Sequence, residues 1–82
     1  MKFHIERDTI DFLNDYFSIG NQYVIKDEKY PVLLLFKEEG FFSYYIKYLC
    51  IGLEDEPRIE EMFLNAEIFK NMIDSGQINK IE

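Results

Sequence analysis

His4 and Cys50 are the single imidazole and the single thiol of the chain. A Cys–His nucleophile pair needs the two within hydrogen-bond reach, so that the base can take the thiol proton. Nothing in the sequence brings positions 4 and 50 together. Cys50 closes the run FFSYYIKYLC, and a lone cysteine among apolar residues is expected to pack as a small core side chain. His4 lies on the polar side of a short alternating stretch and is expected to be solvated. A zinc site wants three or four Cys, His or carboxylate ligands at close spacing. No such set is present, so neither a metal nor another cofactor is expected.

The carboxylates group as Asp8-Asp11-Asp15, Glu38-Glu39, and Glu54-Asp55-Glu56 followed by Glu60-Glu61. None of these groups has the spacing or the central glycine of a calcium loop. Acid/base catalysis needs a cleft that lifts the pKa of one carboxyl above that of its partner. These acids fall on expected turns and helix starts, which are wet. There is no phosphate-cradling glycine loop and no Gly-x-Ser-x-Gly elbow. The reading is non-catalytic, with no catalytic residue and no enzyme activity expected.

The stretch FFSYYIKYLCIG, residues 41–52, raises a different chemistry, because five aromatics fall within eight positions. An aromatic strand can stack nucleic-acid bases, but such sheets add Arg or Lys to hold phosphate. Here Lys47 stands alone in a chain of net charge −7, so nucleic acid is not an expected partner. A second use is the wall of a small-ligand pocket, and Tyr44, Tyr45 and Tyr48 are the candidates for it, alone or at a dimer interface. The third is core packing, with Phe42, Tyr44, Ile46, Tyr48 and Cys50 on one strand face under the helices. Helical spacing of Ser43, Lys47 and Cys50 leaves a helix open, but Phe, Tyr and Ile favour the pleated surface.

Eighty-two residues make one domain, over residues 1–82. Apolar residues supply 48% of the chain and aromatics 17%, enough to build a core without a disulfide. A single cysteine and no apolar run of signal-peptide length at MKFHIERD fit a cytoplasmic location. No stretch has the roughly 18 apolar residues needed to span a membrane. A charge of −7 repels phosphate backbones and anionic lipids and attracts basic surfaces.

The elements that must position these residues follow from periodicity. MKFHIE alternates and reads as a short strand. From Asp8 or Thr9 to Gly20 the spacing turns helical, with Ile10, Leu13 and Phe17 on one face. QYVIK is a short strand and DEKYP a turn. VLLLF is an apolar strand covered on both faces or nearly so. KEEG turns the chain, with Gly40 available for positive φ, and residues 41–51 return as the partner of a hairpin. Pro57 opens a second helix with Ile59, Met62, Phe63, Ala66, Phe69 and Ile73 on its core stripe. QINKIE is a weak final strand or a frayed tail. The expected fold is an α+β two-layer domain: an antiparallel sheet of three to five strands with two helices, in order β-α-β-β-β-α with a final β left open. A ferredoxin-like arrangement is the variant if QYVIK is only a loop and QINKIE pairs with the sheet.

One feature exceeds core-building. On the second helix, Leu64, Ile68 and Met72 recur at spacing four, opposite the core stripe. An apolar strip with a polar rim is a contact surface for a partner or for a second copy. The acids Glu56, Glu60 and Glu61 at the same helix start add an acidic patch. The expected function is therefore a small acidic protein-binding module of inhibitor, antidote or adaptor type, as found in bacterial and phage conflict systems. Its partner would be another protein with a basic or apolar surface.

Overall fold

A computed structural model of the chain describes residues 2–52 and 57–82, with side chains from residue 7 onward. Helix α1 (Lys2–Tyr16) leads into strands β1 (Gln22–Ile25), β2 (Val32–Glu39), β3 (Ser43–Cys50) and β4 (Arg58–Asn65). Helix α2 (Ala66–Asp74) and strand β5 (Ile78–Lys80) follow. The strands form one sheet in the order β4-β3-β2-β1-β5, with every neighbouring pair antiparallel. The fold is thus α+β, two helices on a five-stranded antiparallel sheet, in keeping with the class read from the sequence. QYVI is a strand, so the ferredoxin-like variant is not adopted.

Ile10 and Leu13 of α1, with Phe17 just beyond its end, are buried on one face. The orphan carbonyls at its C-terminus are met from outside the helix. Lys37 of β2 donates from Nζ to the carbonyls of Asn14 and Phe17 at 2.7 and 2.6 Å. A cation there also complements the negative end of the helix dipole. The Tyr23 hydroxyl donates to the Tyr16 carbonyl at 2.8 Å and accepts from the Ser18 amide at 2.8 Å.

Both helices lie on one face of the sheet. Phe17 and Phe69 meet edge to face at 5.7 Å, and both reach the Tyr44 ring, at 5.8 and 6.0 Å. Around them Tyr23, Ile25, Val32, Leu34, Ile46, Tyr48, Cys50 and Ile78 complete a single core. After α2 the chain recrosses to the far edge, where β5 pairs with β1. The Tyr16 hydroxyl fixes it there, donating to the Ile78 carbonyl at 3.2 Å and accepting from the Lys80 amide at 2.8 Å.

Two segments depart from the sequence reading. Residues 2–6 belong to α1 and not to a strand. Six alternating residues fix a period poorly, and no Gly or Pro separates Glu6 from Asp8, so the helix continues through. Thr9 is then no N-cap; its hydroxyl ties α1 to α2 by donating to Glu67 Oε1 at 2.8 Å. The second departure is larger. Arg58–Asn65 is a strand paired along its whole length with β3, and the helix starts only at Ala66. Asn65 is its N-cap, with the side-chain oxygen accepting from the Glu67 amide at 2.8 Å. The spacing of Ile59, Met62 and Phe63 fits a helix, but pairing with an eight-residue partner strand outweighs that local pattern.

The turn between β2 and β3 also assigns its special residue differently. Phe42 adopts φ 70° there, while Gly40 is not in the left-handed region. The Gly40 amide donates to the Ser43 carbonyl at 2.9 Å and closes the hairpin.

Candidate functional site

The residues singled out from the sequence separate in space. Tyr44 and Tyr48 point into the core under the helices, whereas Tyr45, between them on β3, lies on the opposite face. The three cannot line one wall. The Tyr44 hydroxyl donates to Asn14 Oδ1 at 2.6 Å, and burial, with Glu39 nearby, raises its pKa far above the ordinary phenol value. Burial first and Glu28 second push Tyr48 up to about 12. Burial and then Glu28 also raise the Cys50 thiol, which keeps it protonated and poorly nucleophilic at neutral pH.

Leu64, Ile68 and Met72 do not form a helix stripe. Leu64 is in β4, where it pairs with Tyr44 and packs half-buried against the core. Met72 in α2 also packs against the core, and Ile68 alone of the three is well exposed. The acids are likewise divided. Glu60 and Glu61 are successive strand residues on opposite faces, with no helix start beneath them. Glu60 pairs with Arg58 at 2.6 Å, and Arg58 reaches Glu28 at 2.9 Å. Glu56 lies outside the described residues.

The geometry instead gathers a different set. The face of the sheet away from the helices carries three cross-strand rows: Leu33, Leu49 and Ile59; then Phe36, Lys47 and Glu61; then Glu38, Tyr45 and Phe63. A β-bulge between Leu34 and Phe36 resets the register and turns Phe36 to this face. The Tyr45 ring bridges Phe36 at 5.9 Å and Phe63 at 6.4 Å. Its hydroxyl donates to Glu61 Oε2 at 3.0 Å. Partial desolvation and this carboxylate raise the Tyr45 phenol above its ordinary value. Exposure is 43% for Phe36, 59% for Ile59 and 66% for Phe63.

This strip runs to the outer edge of the sheet, because among the described residues β4 has β3 on one side and no strand on the other. The Ala66 amide donates to the Phe42 carbonyl at 3.0 Å. By the alternation of antiparallel bonding, even-numbered residues of β4 then bond to β3. The main-chain groups of Ile59, Glu61 and Phe63 point outward from the sheet. These are the same three residues whose side chains lie on the open face.

Sequence reasoning missed Phe36, Ile59 and Phe63 as surface residues. VLLLF read as covered on both faces, whereas Val32 and Leu34 are buried and Phe36 is exposed. Ile59 and Phe63 read as helix core. The one available signal was Asn65-Ala-Glu, a capping residue ahead of a good helix start. Among the described residues, no three His, Cys, Asp or Glu side chains gather as a metal site. No helix there is long and apolar enough to cross a membrane. Comparison with known protein families, with curated proteins and with solved structures gives no match to the chain.

Proposed function

We propose that the chain works as a small, non-catalytic protein-binding module of inhibitor, antidote or adaptor type, and that the open sheet face beside β4 is its contact surface. The observation that supports this reading is the apolar strip ending in Phe36, Ile59 and Phe63, exposed on the face the helices leave bare. An antiparallel sheet with one solvated face normally alternates apolar inward and polar outward. This sheet keeps apolar and aromatic residues on both faces, and an exposed patch of that kind marks an interaction site. Tyr and Phe side chains supply large contact area at low entropic cost, as interface anchors do. The net charge of −7 favours a basic partner and should make association weaken with salt.

The test compares the wild-type chain with Phe63→Asp and Ile59→Asp as baits in a lysate of the source organism. Thermal melts of each variant check that it is folded. A partner retained by wild type and lost by both folded variants supports the reading. Equal capture by all three removes the open face from contention.

A further inference from the structure

The two edges of the sheet are unequal. β5 offers three residues, β4 offers eight. A long edge strand with apolar side chains is a template for another strand, and folded proteins usually blunt it with charge, proline or a bulge. On the open face of β4 the charge is a single carboxylate, Glu61, set between Ile59 and Phe63. The strand's one cation, Arg58, is engaged by Glu28 and Glu60. On its inner side Glu61 meets the Tyr45 hydroxyl and stands opposite Lys47 of β3. Its outer side faces the edge.

That carboxylate discriminates between occupants. A second copy pairing antiparallel about a two-fold axis at Glu61 sets Glu61 opposite Glu61 of the copy. An axis at Met62 sets Glu61 opposite Phe63, and one at Glu60 sets it opposite Ile59. Each of these three registers, the first two pairing the most of the strand, places the carboxylate against its own kind or against an apolar side chain, and both are unfavourable. Two chains of charge −7 also repel one another. A strand of another protein has no such constraint.

We infer that β4 accepts an extended segment of a partner protein as a sixth, antiparallel strand, and that the segment carries a Lys or Arg flanked two residues away on each side by apolar residues. Resting on the protein-binding reading above, this assigns the partner's chemistry. The outward main-chain groups of Ile59, Glu61 and Phe63 supply the ladder, which gives affinity without regard to sequence. The alternate side chains supply the choice. The apolar pair packs beside Phe63 and Ile59, and the cation meets Glu61.

The probes are two synthetic octapeptides of alternating Thr and Val in which one central Val is replaced by Lys or by Glu. Binding is read by fluorescence anisotropy and by amide chemical-shift mapping on the full chain. The Lys peptide should bind about tenfold tighter than the Glu peptide, the ratio expected when a cross-strand attraction replaces a repulsion. Its shifts should centre on Ile59, Glu61 and Phe63 and shrink with added salt. Glu61→Lys should reverse the preference, and the Lys peptide methylated on alternate amide nitrogens should lose binding. The inference is overturned if Glu61→Lys leaves the preference unchanged, if the shifts fall on α1 or α2, or if neither peptide binds at millimolar concentration. It is also overturned if sedimentation finds a dimer whose β4 amides are protected, which would make the occupant a second copy. Loss of partner capture by Phe63→Asp, with no reversal by Glu61→Lys, would leave the open face as the contact surface and remove strand addition.

Discussion

Phe69→Ala and Phe63→Ala should differ sharply, and the difference separates a strand at Arg58–Asn65 from a helix there. Phe69 has no exposed surface and stacks edge-on against Phe17 and Tyr44. Truncating a buried Phe costs about 3–5 kcal/mol, the lost transfer energy plus the cavity left behind. At roughly 0.05–0.15 kcal/mol per residue, a chain of 82 residues has about 4–12 kcal/mol in total. Phe69→Ala should therefore remove a quarter of the stability or more. In a domain of this size each kcal/mol shifts the melting temperature by about 4–8 °C, so a drop of at least ~12 °C is expected. Phe63 keeps 66% of its surface in water and loses mainly its contact with Tyr45, so Phe63→Ala should cost less than about 1 kcal/mol. Urea unfolding followed by far-ultraviolet circular dichroism, with equal slopes for the two variants, reads both values. If Phe63→Ala unfolds the chain as badly as Phe69→Ala, the helical stripe is real and the open face described above is not.

Lys37→Met should lose about 1.5–3 kcal/mol, because it strips two charge-assisted bonds from the C-terminus of α1 while keeping the apolar stem; a melt within about 0.5 kcal/mol of wild type would show that water caps the helix equally well. Tyr48 has a folded pKa of about 12 against 10.0 for the free phenol. Its stabilising effect is whole below pH 10 and is lost between there and pH 12, with a slope of about 1.4 kcal/mol per pH unit. Tyr48→Phe should therefore flatten the alkaline limb of a stability profile. Glu39 is held below the usual carboxylate range, first by the Arg7 hydrogen bond and then by that from Asn14. Its contribution is present above the unfolded value and is lost as pH falls through the folded one, so Glu39→Gln should make acid unfolding less steep below about pH 4.5. Gly52→Ala should destabilise the chain by about 1–2 kcal/mol, since φ there is +88° and a Cβ would sit 2.8 Å from Cγ of Tyr30; an unchanged melting temperature would show that Tyr30 moves aside freely.

The α+β class, the hairpin of β2 and β3, and the buried face of β3 were legible because they rest on signals within a few residues of each other. Tyr44, Ile46, Tyr48 and Cys50 alternate, and a glycine-bearing turn precedes them. The site was not legible, because it is made by pairing. Phe36 reaches the open face only through the bulge after Leu34. Ile59 and Phe63 reach it only because β3 recruits residues 58–65 as a strand, and their own spacing suits a helix as well. Residues 2–6 fail for the converse reason. Their short alternation is overridden by the helix that continues into Ile10 and Leu13.

The placement of β5 dictates an order of assembly. The ladder β2-β3-β4 joins neighbours in sequence, so its loops close at small entropic cost. β5 is different: its Lys80 amide meets a hydroxyl 64 positions away, and it reaches β1 only after α2 has laid the chain across the core. Contacts of such long range form late and open early. Amide protons of Lys80 and Ile81, bonded to the Tyr16 hydroxyl and the Gln22 carbonyl, would then exchange through a partial opening that leaves β2, β3 and β4 protected. In that opening β1 becomes the new margin of the sheet, with Tyr23 and Ile25 partly uncovered. Fastening β5 onto Tyr16 thus guards this margin of the sheet against disorderly association.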